Sequence, residues 1–210
     1  MTEKEWLDCT DPTPMLDSLR GKVGDRKKRL FACACCRGIW HLLPDRRSRK
    51  AVEASERYAD GLITPEKLHL VWGDNRWAAN VATRNSDGLE GAKWIVAHLT
   101  EPDAIRVLFA MWPAAYLGGR EIQQPLQCAL LRDIFGNPFR PVTVGPRWLT
   151  SNVVELAKAI YEERVFDRMP ILSDALMDAG CDQEEIIRHC RSSGPHVRGC
   201  WVVDLILGKE

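Results

Sequence analysis

No run of this sequence is apolar for long enough to span a membrane, and its opening residues, Met-Thr-Glu-Lys-Glu-Trp, contain no apolar signal region. The expectation is a soluble, cytoplasmic chain with no membrane partner and with its cysteines reduced. Net charge is lacking too: 29 basic residues balance 29 acidic ones, so the molecule sets up no overall field to draw in nucleic acid or an anionic membrane. There is no glycine-rich phosphate loop and no G-x-S-x-G turn, and no stretch alternates long enough to make a sheet. Phosphate-loop and serine-hydrolase chemistry are thereby set aside, along with β architecture. Tyr and Phe are scarce, at 3 and 5, beside 8 Trp, which points to indoles packed at helix contacts with their N–H groups partnered.

What is present is a chain of helix starts and stops. The 45% hydrophobic and 28% charged content of 210 residues is ordinary for a globular protein and argues against disorder. Thr2 and Glu5 form a capping box, and Thr13-Pro14 and Thr64-Pro65 each place proline behind a cap. Asp25 opens a helix to about Leu43, and a second runs from Asp45 to Asp60. Helices follow from Pro65 past Gly73 to Arg84, then over Leu89 to Leu99 and Ala104 to Leu117. Further on, Ile122 to Phe135, Val153 to Arg164, Asp167 to Ala179, Ile186 to Arg191 and Val197 to Leu207 complete the set. The fold class expected is all-α: an irregular bundle or array of roughly nine to eleven short helices with no sizeable sheet. No residue pattern repeats at fixed period, so residues 1–210 read as one helical domain, with Gly118-Gly119 as a candidate lobe joint.

The organising stretch is Leu130 to Val142. Gly136 and Asn137 suit a left-handed cap, and Pro138 and Pro141 keep the chain from restarting a helix. Phe135 and Phe139 are expected to pin this corner, and Arg132, Asp133 and Arg140 to hydrogen-bond its backbone. A second irregular corner, Ser192 to Arg198, presents His196 and Arg198. If there is a ligand or interaction site, it is expected between these loops, at Arg132, Asp133, Arg140, His196, Arg198 and Asp204. The plainer role for all six, which the sequence favours, is to tie the two corners to the helices.

The eight cysteines cluster as Cys33, Cys35 and Cys36 and as Cys181, Cys190 and Cys200. Zinc takes four thiolate or imidazole ligands, and close pairs from two places in the chain are the usual supply. Cys33, Cys36, His196 and Cys200 form such a set, with His196 and Cys200 one helical turn apart. Against it, Cys33 and Cys36 lie within a helix, where cysteine also serves as a small core residue. A nucleophilic Cys190 or Cys200 with His189 or His196 as base is a weaker reading, because no oxyanion loop or third orienting group is identifiable.

Two basic clusters, Arg26, Lys27, Lys28, Arg29 and Arg46, Arg47, Arg49, Lys50, lie near the two ends of one helix and would suit an acidic partner or a nucleic-acid backbone. The helix pair around Gly180-Cys181-Asp182 is a poor DNA reader, since Asp182, Glu184 and Glu185 stand where phosphates would lie.

The strings LRDIFGNPFRP (Leu131 to Pro141), Ala159 to Arg164 and GPHVRGCWVVD (Gly194 to Asp204) resemble an uncharacterised bacterial protein family. The Cys33 helix and the Ala51 to Gly61 segment look like its N-terminal part. The resemblance implies one evolutionary unit and brings no activity, cofactor or catalytic residue. The reading is therefore a helical binding or interaction domain, not an enzyme, with an unidentified protein partner and no cofactor. A zinc-stabilised adaptor and a basic-patch nucleic-acid binder are the alternatives.

Overall fold

The computed structural model describes residues 1–43, 46–71 and 120–209. Among them are ten α-helices and no strand, so the all-α expectation holds. The helices are α1 (Glu3–Asp8), α2 (Pro12–Leu19), α3 (Asp25–Gly38), α4 (Arg46–Ala59) and α5 (residues 65–71). They continue as α6 (Arg120–Phe135), α7 (Ser151–Glu163), α8 (Met169–Asp178), α9 (Glu184–Arg191) and α10 (Trp201–Leu207). None of the described helices is long and apolar enough to cross a membrane. The helices expected past Gly73, over Leu89 to Leu99 and over Ala104 to Leu117, and the joint at Gly118-Gly119, lie outside the described residues.

Helix starts follow cap chemistry, but several boundaries shift where cap-type residues stand in a row. The Thr2–Glu5 box forms with both of its hydrogen bonds. In α2 the cap is Asp11, whose carboxylate accepts from the Thr13 amide, with Pro12 as the first helical residue in place of Pro14. Thr150 caps α7, which therefore starts at Ser151 and not at Val153, and α9 starts behind Gln183 with no side-chain cap. The last helix is shorter than expected. Gly199 has φ of 94° and Val197 to Cys200 close a turn, so α10 begins only at Trp201.

The chain divides into two compact units, one made of Thr10–Cys128 and one of Met1–Cys9 with Ala129–Glu210. In the first, α3 and α4 pack together through Leu30, Phe31, Cys33, Ala51 and Val52, all fully buried. Glu56 is buried beside them, and the Arg37 guanidinium forks onto its carboxylate at 2.6 and 2.8 Å.

The second unit has its core among α7, α8, α9 and α10, where Val153, Ile160, Leu172, Leu176, Ile186, Val203 and Ile206 meet. Its N-terminal piece is tied in through backbone atoms. The Trp6 indole donates to the Gly136 carbonyl at 3.1 Å, and Arg132 donates to the carbonyls of Trp6 (2.8 Å) and Cys9 (2.6 Å). The corner is thus pinned by Trp6 and by Trp201, whose ring a Cβ on Gly136 would meet at 3.2 Å, at a backbone φ of 65°. Phe139, expected to pin it, is 42% exposed.

Candidate metal centre

The end of α6 carries Asp133 inward, because the Arg132 and Gly136 bonds fix the rotation of the helix's last turn. The last turn of α9 brings His189 to the same place, and the amphipathic face of that helix holds it there through Ile186 and Cys190. Gly194-Pro195 keep the following chain extended, which lays His196 over Asp133, and the Gly199 turn then swings Cys200 in at the cap of α10. Three separate segments therefore supply four side chains.

Their donor atoms converge. His196 Nδ1 lies 2.8 Å from Asp133 Oδ1, and His189 Nε2 lies 3.1 Å from the same oxygen. His189 Nε2 is also 3.2 Å from Cys200 Sγ. All four donor atoms lie within 4.8 Å of one another. The surroundings orient each one. The Val197 amide donates to Asp133 Oδ2 at 3.0 Å, which leaves Oδ1 facing the cluster. His196 Nε2 lies 3.3 Å from the Ser192 carbonyl, which leaves Nδ1 facing inward. The imidazoles of His189 and His196 meet edge to face, with centroids 4.9 Å apart, and Trp201 packs against His189.

Burial works to raise the Asp133 carboxyl, but hydrogen bonds from His189 and His196 outweigh it and hold the group below its usual range. Burial likewise works to lower His196, and its bond to Asp133 wins, raising the imidazole above its ordinary value. The Cys200 thiol is pushed well up, first by burial and then by the Asp133 charge. Burial pushes the Cys190 thiol up to about 12. A nucleophilic thiol needs a lowered value and access, and both of these are fully buried.

The geometry also separates this group from a Cys–His–Asp triad. There the base uses one ring nitrogen for the nucleophile and the other for the orienting carboxylate. Here one nitrogen, His189 Nε2, faces both the carboxylate and the thiol. Four donor atoms of these types within 4.8 Å of one another are also what a cation requires. Metal bonds of about 2.0–2.3 Å place tetrahedral ligand atoms roughly 3.3–3.6 Å apart, so the pairs at 2.8, 3.1 and 3.2 Å, which are hydrogen-bond distances, have to open by a few tenths of an ångström to admit an ion.

No protein-family model, curated protein or solved structure matches this chain. The site is read from its own atoms.

Of the residues expected to bind metal, His196 and Cys200 meet, though His196 lies in a loop and not one helical turn from Cys200 on a shared helix. Cys33 and Cys36 belong to the other unit and are not members of the group. They are buried within α3, where the Cys33 thiol lies 3.9 Å from the Val52 carbonyl and burial pushes it up to about 12. Asp133, singled out as a ligand-site candidate, joins the group. His189, outside the four-residue zinc set expected from the sequence, does also.

The other interaction candidates have structural partners. Arg132 holds α1, and Arg140 pairs with Glu3 at 2.6 Å on the surface. Arg198 lies over the Tyr161 ring, and Asp204 is buried in the first turn of α10. The basic clusters are partly used up internally. Arg26 pairs with Asp60 at 3.1 Å, Arg29 is 2% exposed against Ser55 and Tyr58, and Arg49 donates to the Leu43 carbonyl at 2.7 Å. Lys28 pairs with Asp25 at 2.8 Å, while Arg46, Arg47 and Lys50 are exposed and Lys27 is half-buried.

Proposed function

We propose that this chain is a non-catalytic helical interaction domain whose C-terminal unit is held together by a divalent metal ion on Asp133, His189, His196 and Cys200. The observation that carries the reading is the convergence of four donor atoms, from three chain segments, on one buried point. The non-catalytic part is supported by burial of the donors. The side chains of Asp133, His196 and His189 are 3, 7 and 15% exposed, and Cys200 is wholly enclosed. A site with four protein ligands and little access offers structure, whereas a catalytic one keeps a position for water or substrate. The partner is then a protein that reads the surface of a unit whose shape depends on the ion. A reducing, cytoplasmic setting belongs to the same proposal, because Cys200 must remain a thiol to ligate. So does kinship with the bacterial family, since Asp133, His196 and Cys200 all fall in the two strings that carry that resemblance.

The test is elemental analysis of untagged protein purified without chelator, followed by metal titration of the stripped chain. About one ion per chain is expected, retained in Cys33→Ser and Cys36→Ser and lost in Asp133→Ala and His196→Ala. Failure of the wild-type chain to take up any divalent metal would sink the proposal.

A further inference from the structure

Resting on that reading, we infer that the ion is zinc in a closed tetrahedral site, bound through Asp133 Oδ1, His189 Nε2, His196 Nδ1 and Cys200 Sγ. Charge makes the first selection. A carboxylate and a thiolate supply two negative charges, and two neutral imidazoles supply none. A divalent ion therefore leaves the buried cluster neutral, whereas a monovalent one leaves an unbalanced charge in an apolar interior.

Donor type makes the second selection. Calcium and magnesium require shells of six or more ligands, nearly all oxygen, and the group offers a single available carboxylate oxygen, two imidazole nitrogens and a sulfur. That mixture suits a borderline ion without a preferred d-electron geometry.

Denticity makes the third. Because the Val197 amide holds Asp133 Oδ2, the carboxylate binds through one oxygen only, and four ligands then give coordination number four. The contact between His196 Nε2 and the Ser192 carbonyl is the outer-sphere bond that fixes a ligating imidazole in its tautomer. The ion thereby fastens the end of α6, the last turn of α9 and the residues 195–200 to one another. The exposed Ser192 is already tied to the His189 carbonyl through its hydroxyl at 2.8 Å and its amide at 3.1 Å, and the ion adds a tie on either side of it, at His189 and His196.

The test is cobalt substitution of the full chain, read by visible and near-ultraviolet absorption. Tetrahedral Co²⁺ gives intense d–d bands, and a thiolate ligand adds a sulfur-to-metal charge-transfer band. Both are expected in the wild type and in Cys33→Ser, and Cys200→Ser should lose the charge-transfer band. Asp133→Asn should weaken zinc binding at least about 100-fold. Weak octahedral bands, or a charge-transfer band that survives Cys200→Ser, would overturn the zinc assignment while leaving a bound metal in place. No uptake at all would instead remove the metal reading beneath it. Should Cys200→Ser fail to fold, X-ray absorption on the wild-type zinc protein decides. One sulfur at about 2.3 Å with three nitrogen or oxygen ligands at about 2.0–2.1 Å supports the inference, and a shell without sulfur overturns it.

Discussion

The two units of this protein both bury polar side chains, and they settle the cost in opposite ways. Between α3 and α4 the buried groups are complementary in charge. Glu56 accepts both arms of Arg37, Asp60 takes Arg26, and Arg29 rests against Ser55 and the Tyr58 ring. Glu56 and Asp60 each have a guanidinium within hydrogen-bond reach, which is the condition for keeping a carboxylate in an apolar interior, while Arg29 has a hydroxyl and a ring face. In the unit containing α7 to α10, the buried group is made of carboxylate, imidazole and thiol, all of them lone-pair donors. Such a set is satisfied by shared protons or by a metal cation. The lesson concerns donor type more than polarity: Glu56 and Asp60 meet guanidinium groups that keep their protons and need nothing further, whereas Asp133 meets imidazoles that give up theirs near neutral pH and then offer lone pairs to a metal.

The largest expected effect that would sharpen this contrast is metal removal. Stripping the protein with a strong chelator should remove a binding contribution on the order of 10 kcal/mol, of the kind that structural zinc supplies to small domains. Hydrogen exchange resolved by segment should then show protection falling across residues 129–209 and holding across α3 and α4. Equal loss in both units would break the contrast.

Single substitutions come next. Asp133→Ala and Glu56→Ala should each destabilise by about 3–5 kcal/mol, since each leaves buried partners without their counterpart. Only the first should abolish metal uptake. Thermal melts paired with metal analysis separate the two, and metal loss on Glu56→Ala would contradict the division drawn here.

The pH response of the stripped protein is smaller and has a definite sign. The lowered Asp133 carboxyl contributes stability that is present above about pH 4 and lost as pH falls through its folded value. The raised His196 imidazole contributes stability that is present below about pH 6.5 and lost as pH rises through its folded value. The stripped unit should therefore be most stable between those limits. The loaded unit should gain with rising pH, because ligation displaces protons from imidazole and thiol. Melting curves across pH, with and without chelator, check both halves. Identical profiles would argue that no ion is involved.

Smallest of all should be Arg140→Ala. Its pairing with Glu3 is short, but the arginine side chain is 61% exposed, so a loss of about 0–1 kcal/mol is expected in thermal melts.

Much of the scaffold was legible from local chemistry. Thr2 with Glu5, and Gly136 followed by Asn137-Pro138, act over a few residues and behave as their side chains dictate. Boundaries slipped where neighbours compete for one role, as at Thr150-Ser151-Asn152, because any of the three can cap a helix and tertiary packing chooses among them. Charged core residues misled in a different way. Arg29 looks like a surface cation in the sequence, yet it is buried against Ser55, and Arg132, expected to hydrogen-bond the backbone of its own corner, donates instead to the carbonyls of Trp6 and Cys9. A long side chain's destination depends on acceptors far along the chain.

The sequence by itself determined that this would be an all-helical protein, with caps, glycine stops and proline breaks to divide it, because those effects are local and strong. It also supplied Asp133, His196 and Cys200 as residues to watch, and His189 beside them. Only the tertiary structure decided that these four belong together while Cys33 and Cys36 do not. The physical reason is that their meeting depends on three segments being brought to one point by backbone ties at Gly136, the packing of α9 and the turn at Gly199, and no spacing in the chain encodes that convergence.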